Sequence, residues 1–166
     1  MLNFLDIYNA LDHERFSNWW LKKFPDKVLK SWPGIGIIKI NGDRFDFDVG
    51  GAVAPIIPVC FNDHVIDLCA WLPNDPTKTY LLGGEGIDLN IIGLRQATIY
   101  QTNFDVYESP VEWLVNGCEG GCPLSDAVMP EYKALRSMTV DTPAMAQRMK
   151  SCMDVLCRSP LIRVVD

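Results

Sequence analysis

Short apolar segments alternate with amphipathic ones throughout the C-terminal half of the chain. The hydrophobic pattern predicts strands at 104–107, 138–140 and 161–165, and helices at 110–116 and 143–157. The resulting order is β-α-β-α-β, which is typical of a small sheet whose strands are connected by helices.

The N-terminal half has a different pattern. Apolar residues at helical spacing predict two helices, over residues 2–11 and 13–24. The period then changes to two, and Asn41-Gly42 separates two alternating segments, which predicts a β-hairpin. Extended segments follow at Ala52–Phe61 and His64–Trp71, and the prolines of the first favour an edge or bulged position.

The central part of the chain, between these two patterns, is less regular. A proline-rich turn precedes an extended segment at Thr79–Leu82, which is followed by the glycine-rich loop Gly83–Gly86. Two short separate segments are predicted next, at Leu89–Leu94 and Ala97–Gln101.

Together these elements predict an α/β (α+β) fold, in which N-terminal helices and antiparallel β-hairpins precede a small β-α-β-α-β sheet. We assign residues 1–50 to an N-terminal helical pair with a β-hairpin, and residues 51–166 to a β segment and an α/β core. One continuous domain is the alternative, since a chain of 166 residues is short enough for a single core.

An acidic residue followed by a helix start occurs twice. Glu108 precedes Ser109-Pro110, and Asp141 precedes Thr142-Pro143. In each case the hydroxyl residue can cap a helix whose first position is proline. Because open α/β sheets bind ligands at the carboxyl ends of their strands, Glu108 and Asp141 are candidate ligands of a shared Mg²⁺. The alternative is that each acid only complements the positive end of a helix.

Charge limits the classes of partner. Fifteen basic and twenty-one acidic residues give a net charge of −6, which argues against attachment to nucleic acid through a strongly basic surface. We interpret the cluster Lys22-Lys23 with Lys27 and Lys30 as a solvated helix face. We interpret Trp19-Trp20 as an anchor of the core in preference to a base-stacking platform.

The sequence also predicts a compartment. No secretory signal pattern opens the chain, and the longest uncharged apolar stretch, at 49–61, is too short to cross a bilayer. We therefore expect a cytoplasmic protein with reduced thiols and no membrane partner.

The remaining candidate chemistry is incomplete. Cys118 and Cys122, like Cys152 and Cys157, lack the compact spacing of a zinc knuckle. The histidines have no neighbouring nucleophile motif, and the glycine-rich loop lacks the Lys-Ser/Thr of a phosphate-binding loop. We assign no catalytic residue, no cofactor-binding residue and no cofactor beyond the candidate Mg²⁺.

Several segments resemble a known family. Phe104–Gly117 is similar to the strand, glutamate and helix that open the Toprim fold of phage and plasmid primases, with Glu108 at the position of the family's acid. Thr139–Asp141 is similar to the later acidic strand end. Ile56–Trp71 and Tyr80–Gly84 resemble the β segment that precedes the nucleotidyl-transfer core. The resemblance implies a Toprim-like sheet and, for an active member, Mg²⁺-dependent nucleotidyl or phosphoryl transfer.

The chain departs from the family's pattern at its second acidic motif. Thr142-Pro143 follows Asp141 where the family has an Asp-x-Asp pair, and the loss of one acid removes a ligand of a two-metal site. We therefore expect a non-catalytic accessory protein of phage or mobile-element DNA replication or processing, which binds a protein partner. One alternative is an acidic inhibitor or regulator that binds protein or mimics nucleic acid. Another is a phage-like structural or assembly protein, which predicts an exposed apolar patch and self-association.

Overall fold

The computed structural model describes residues 3–27, 29, 33–154 and 161–164. It divides the chain into two compact units, Met1–Gly86 (unit 1) and Ile87–Asp166 (unit 2). Of the residues considered above, Lys30, Cys157 and the end of the helix predicted at 143–157 lie outside the described residues. None of the described helices is both long enough and apolar enough to cross a membrane.

Two helices open unit 1, as the hydrophobic spacing predicts. Helix α1 spans Phe4–Asn9 and helix α2 spans His13–Lys23. Phe16 and Trp20 are fully buried, and the Trp20 indole N–H donates a hydrogen bond to a backbone carbonyl 2.9 Å away. The predicted role as a core anchor is confirmed for Trp20, whereas Trp19 remains partly exposed.

The strands of unit 1 close into a five-stranded barrel in the order β1-β2-β5-β4-β3. They are β1 (Gly34–Asn41), β2 (Arg44–Phe47), β3 (Ala52–Phe61), β4 (His64–Leu72) and β5 (Asp75–Leu81). The hairpin predicted at Asn41-Gly42 is confirmed, because β1 and β2 pair antiparallel across it. Strands β2 and β5 are parallel and share one register pair, Arg44 with Leu81.

The prediction that Ala52–Phe61 lies at a sheet edge is wrong. Strand β3 pairs with β1 over residues 52–56 and with β4 over residues 56–61, so it is not an edge strand, although Pro55 is in register only with β1 and Pro58 only with β4. The alternative of a bulged position holds, because the register with β4 shifts between Val59 and Cys60. The barrel is closed, yet each proline lies where only one neighbouring strand is in register, so no ladder partner is lost on the other side.

The expected domain boundary at residue 50 also differs from the structure. Strands β1 and β2 belong to the same barrel as β3, β4 and β5, so the first compact unit continues to Gly86. Inward-facing side chains of all five strands form one core, which contains Ile38, Phe45, Ala54, Ile56, Leu68, Ala70 and Tyr80.

One buried carboxylate fixes the glycine-rich loop against the barrel. Asp67 on β4 is fully buried. Its Oδ1 accepts hydrogen bonds from the backbone N–H groups of Leu68 and Gly83, both at 2.7 Å. Its Oδ2 accepts from Glu85 and Gly86, at 2.8 and 2.9 Å. Four backbone donors thus satisfy a charge that would otherwise be very unfavourable inside the protein.

The described part of unit 2 contains a parallel sheet of three strands in the order β6-β7-β8. The strands are β6 (Asn103–Val106), β7 (Ser137–Val140) and β8 (Leu161–Val164). Helix α3 (Ile91–Tyr100) precedes the sheet, and α4 (Pro110–Val115), α5 (Met129–Lys133) and α6 (Pro143–Met153) follow in the connections. The predicted strands and helices therefore follow in the predicted order within a mixed α+β protein, and α5 is an additional helix between α4 and β7.

Helix α3 replaces the two short segments predicted at Leu89–Leu94 and Ala97–Gln101. The Asn90 side chain caps it by accepting a hydrogen bond from the backbone N–H of Gly93, at 3.0 Å. Its buried residues recur every third position, which places them on one helical face, and Gln101 ends the helix with a left-handed φ of 54°. A single helix forms because the buried face is continuous across both predicted segments.

We expect Asp67→Asn to lower the free energy of unfolding of unit 1 by about 2–4 kcal/mol, because the amide nitrogen must face backbone donors that then lack an acceptor. Urea unfolding, with hydrogen exchange of unit 1 amides, measures the change. Asp46→Asn, at an exposed acid of β2, is the matched control and should change stability by less than about 0.5 kcal/mol. Equal stability of the two variants would contradict the prediction.

Candidate functional site

The two candidate metal ligands lie at the same edge of the unit 2 sheet. Strands β6 and β7 are parallel neighbours, with Val106 paired to Val140. Asp141 directly follows β7, and its backbone N–H donates to the Val106 carbonyl at 3.2 Å. Glu108 follows the end of β6 by two residues. Glu108 and Asp141, the two acids that each precede a helix start, therefore lie at the same end of neighbouring strands, as expected.

Both helix starts next to these acids have the predicted caps. The Ser109 hydroxyl accepts a hydrogen bond from the backbone N–H of Glu112 at 3.2 Å, and the Thr142 hydroxyl accepts from Met145 at 3.0 Å. A proline occupies the first turn of α4 and of α6. These local interactions determine where each acidic residue leaves its strand.

Glu108, Asp141 and Thr142 are joined directly, and we refer to these three residues as the strand-end clasp. Both carboxylate oxygens of Asp141 accept from the backbone N–H of Glu108, at 3.1 and 3.0 Å. The Thr142 hydroxyl donates to Oε2 of Glu108 at 2.7 Å. Each carboxylate is thus held by the segment that carries the other.

The environment of the clasp is acidic. Partial burial raises the pKa of Asp141 above its usual value, and the charges of Glu108 and Glu112 act in the same direction, while the N–H of Glu108 opposes the shift. Burial also raises the pKa of Tyr107, and the surrounding carboxylates add to that shift. We define the acidic edge as the clasp acids together with Asp105, Glu112 and Glu119.

An open cleft of about 440 Å³ lies beside the clasp. It is lined by Asp105, Val106, Tyr107, Asn116, Thr139, Val140 and Asp141. Among the described residues, no group of three or more His, Cys, Asp or Glu side chains could hold a metal ion. Mg²⁺ commonly takes one or two carboxylates and completes its shell with water or phosphate oxygens. The donor set therefore fits a largely hydrated Mg²⁺ and does not fit a closed protein site.

Within the described residues, the glycine-rich loop, the histidines and the cysteines do not form a ligand-binding or catalytic site. The glycine-rich loop already directs three of its backbone N–H groups to Asp67, so these donors are not available to a nucleotide phosphate. His13 contacts the backbone carbonyl of Tyr8 at 2.9 Å, and His64 is exposed at the start of β4. Cys122 is buried, and Cys118 and Cys152 are partly buried.

Sequence reasoning missed Asp88, which is fully buried in unit 2. Its Oδ1 accepts from the backbone N–H of Asn90 at 2.7 Å, and its Oδ2 accepts from the hydroxyl of Tyr132. Burial raises the pKa of Asp88 to about 6, although the hydrogen bonds from Tyr132, Asn90 and Cys122 act in the opposite direction. The one local signal is the spacing Asp88-Leu89-Asn90, which is typical of an Asx turn before a helix.

Comparisons with protein-family models, with curated proteins and with solved structures found no match to this chain.

The buried Asp88 predicts a specific pH dependence. Between pH 3.8 and about 6, the folded protein keeps a proton that the unfolded chain releases, so the free energy of unfolding should fall as pH rises through this range. The loss should approach about 3 kcal/mol above pH 6, from 1.36 kcal/mol per pKa unit. Urea unfolding across this range measures it.

Asp88→Asn removes the titrating group, so its stability relative to the wild type should improve as pH rises. Asp154→Asn, at an exposed acid of the same unit, is the control and should follow the wild-type profile. A constant difference between wild type and Asp88→Asn at every pH would contradict the prediction.

Proposed function

We propose that this chain is a non-catalytic, Toprim-like accessory protein of phage or mobile-element DNA replication or processing. The observation that supports the proposal is the meeting of Glu108 and Asp141 at the carboxyl ends of two neighbouring parallel strands. Strands and helices alternate around them, which supports the proposal. We further propose that the protein binds a protein partner of the DNA replication or processing system.

The hydrogen bonds of the two acids support the proposed lack of catalysis. Both oxygens of Asp141 accept from one backbone N–H, and Glu108 accepts a hydrogen bond from the Thr142 hydroxyl. Phosphoryl transfer by two metals requires carboxylates that bridge or flank both ions. The clasp offers two acids that are already hydrogen-bonded to each other's segments, which suits a structural role and weak cation binding.

We expect weak Mg²⁺ binding at the clasp. Two nearby carboxylates attract a divalent cation, yet the ion must retain most of its water, so binding should be in the millimolar range, about 10⁻³ M. A Mg²⁺ titration followed by backbone NMR should shift the amides of 105–109 and 139–142. Glu108→Gln and Asp141→Asn should each weaken binding at least about tenfold, which corresponds to 1.4 kcal/mol.

Glu85→Gln is the matched control, since Glu85 is an exposed acid of unit 1. It should leave the titration of the clasp unchanged. Equal and negligible shifts in the wild type and Glu108→Gln would remove the metal role, while tight binding that supports catalysis would contradict the proposed lack of activity.

A second function is favoured by the acidic edge. Four carboxylates lie close enough to influence the Tyr107 hydroxyl, and the cleft beside them is open. An exposed set of negative charges can occupy a nucleic-acid-binding groove on another protein. In that case Asp105 and Glu112 would matter as much as Glu108, and competition with DNA would weaken steeply with salt.

A reconstituted priming reaction tests the proposed function. A phage-type primase and helicase on single-stranded circular DNA should give a changed primer yield when this protein is added, while the protein alone should make no primer. The double variant Glu108→Gln/Asp141→Asn should lose the effect, and Glu85→Gln should keep it.

Primer synthesis by the protein alone would overturn its non-catalytic role. No change in yield, together with no binding to the primase or helicase, would overturn the accessory role. Equal sensitivity to Asp105→Asn and Glu112→Gln, with displacement of DNA from the enzyme, would favour nucleic-acid mimicry instead.

A further inference from the structure

We propose that helix α2 presents a small binding surface for single-stranded nucleic acid, formed by Arg15, Trp19, Lys22 and Lys23 (the α2 face). This surface lies in unit 1, whereas the proposed function is derived from unit 2. The inference therefore goes beyond that function and stands without it.

Helical geometry places the four side chains together. Relative to Arg15, the others occupy positions i+4, i+7 and i+8, which lie along one side of an α-helix. The α2 face lies beside the buried side chains of Phe16 and Trp20. The sequence therefore directs one side of α2 to the core and an adjacent side, with an indole at its centre, to solvent.

Trp19 is positioned as a rigid and accessible ring. Its centroid lies 5.4 Å from that of Phe16 and 6.4 Å from that of Trp20, so it packs against two core aromatics in tilted arrangements. The side chain nevertheless remains partly exposed, in contrast to Trp20. An indole held in this way can stack on a nucleobase with little loss of side-chain entropy, and base–aromatic stacking tolerates any base sequence.

Cations surround this ring on a chain that is acidic overall. The Lys23 ammonium lies over the Trp19 ring, 5.3 Å from its centroid, so a base that stacks on this face would displace it toward a phosphate. Arg15, Lys22 and Lys23 are all exposed. None of the three forms a salt bridge with an acid in the described part of the chain. The helix dipole accounts for two lysines in the last turn of α2, but it disfavours Arg15 in the first turn.

A cleft at the same face offers space for a nucleotide. Its volume is about 430 Å³, and it is lined by Asp12, Glu14, Arg15, Asn18, Trp19 and Lys22. The carboxylate of Asp12 already caps α2 by accepting from the backbone N–H of Arg15 at 2.9 Å. The two acids lie at the beginning of the helix, so the phosphates would follow the lysines at its end.

This combination favours a nucleic-acid strand over an acidic peptide. Both carry negative charge, but only the nucleic acid adds flat rings that require an exposed aromatic platform. With three cationic contacts, affinity should lie within the range of non-specific binding, roughly 10⁻⁴ to 10⁻⁶ M. Its dependence on salt should be shallow, with a slope of about −2 for single strands.

Fluorescence anisotropy of a labelled oligo-dT at low salt, with the full chain, tests the proposal. Trp19→Ala should weaken binding about tenfold, while Trp19→Phe should retain most of it because a stacking ring remains. Lys22→Glu/Lys23→Glu should weaken binding further and flatten the salt dependence. Circular dichroism checks that each variant is folded.

The matched control is Arg136→Glu/Lys150→Glu, which makes the same change in net charge at two exposed residues of unit 2 and should leave binding unchanged. Glu108→Gln should also leave it unchanged, which separates this inference from the proposed function. Three results would overturn the proposal: no binding by the wild type, equal binding of an abasic strand or a polyglutamate peptide, or equal losses in the control variant.

Discussion

A carboxylate that leaves water must find hydrogen-bond donors, and in this protein the backbone of neighbouring loops supplies them. Asp67 collects four N–H groups and fixes the loop that follows the barrel. Asp88 fixes the start of α3, and Asp141 fixes the segment around Glu108. Since a buried charge without donors is strongly unfavourable, each acid selects one loop conformation and excludes the others.

The same requirement shapes the candidate site. The acids at the strand ends come together because β6 and β7 are parallel neighbours and because each strand is followed at once by a capped helix. Once together, each accepts a hydrogen bond from the segment that carries the other. The glycine-rich loop is similar in this respect, because its backbone N–H groups, which a phosphate would need, already donate to the carboxylate of Asp67. Acidity alone is therefore a poor guide to ligand binding in this protein.

Local sequence signals predicted the helix starts and the acids of the candidate site, but not the closure of the barrel. Ser109, Thr142 and the prolines after them determine two helix starts through contacts within four residues, so both were accessible to sequence reasoning. Closure of the barrel was not, because the pairing of β3 with both β1 and β4 is a long-range choice that its prolines argue against. The contacts of Asp67 and Tyr132 also join residues distant in sequence, and no local pattern encodes them.

The barrel has one seam that differs from all the others. Four of its five junctions are antiparallel ladders, whereas β2 and β5 meet in parallel through a single register pair, Arg44 with Leu81. Partial opening of a domain follows its least connected boundary. We therefore expect β2 and β5 to separate first on heating or under mechanical force. Separation would convert the closed barrel into an open sheet with two unpaired edge strands, which can pair with other chains.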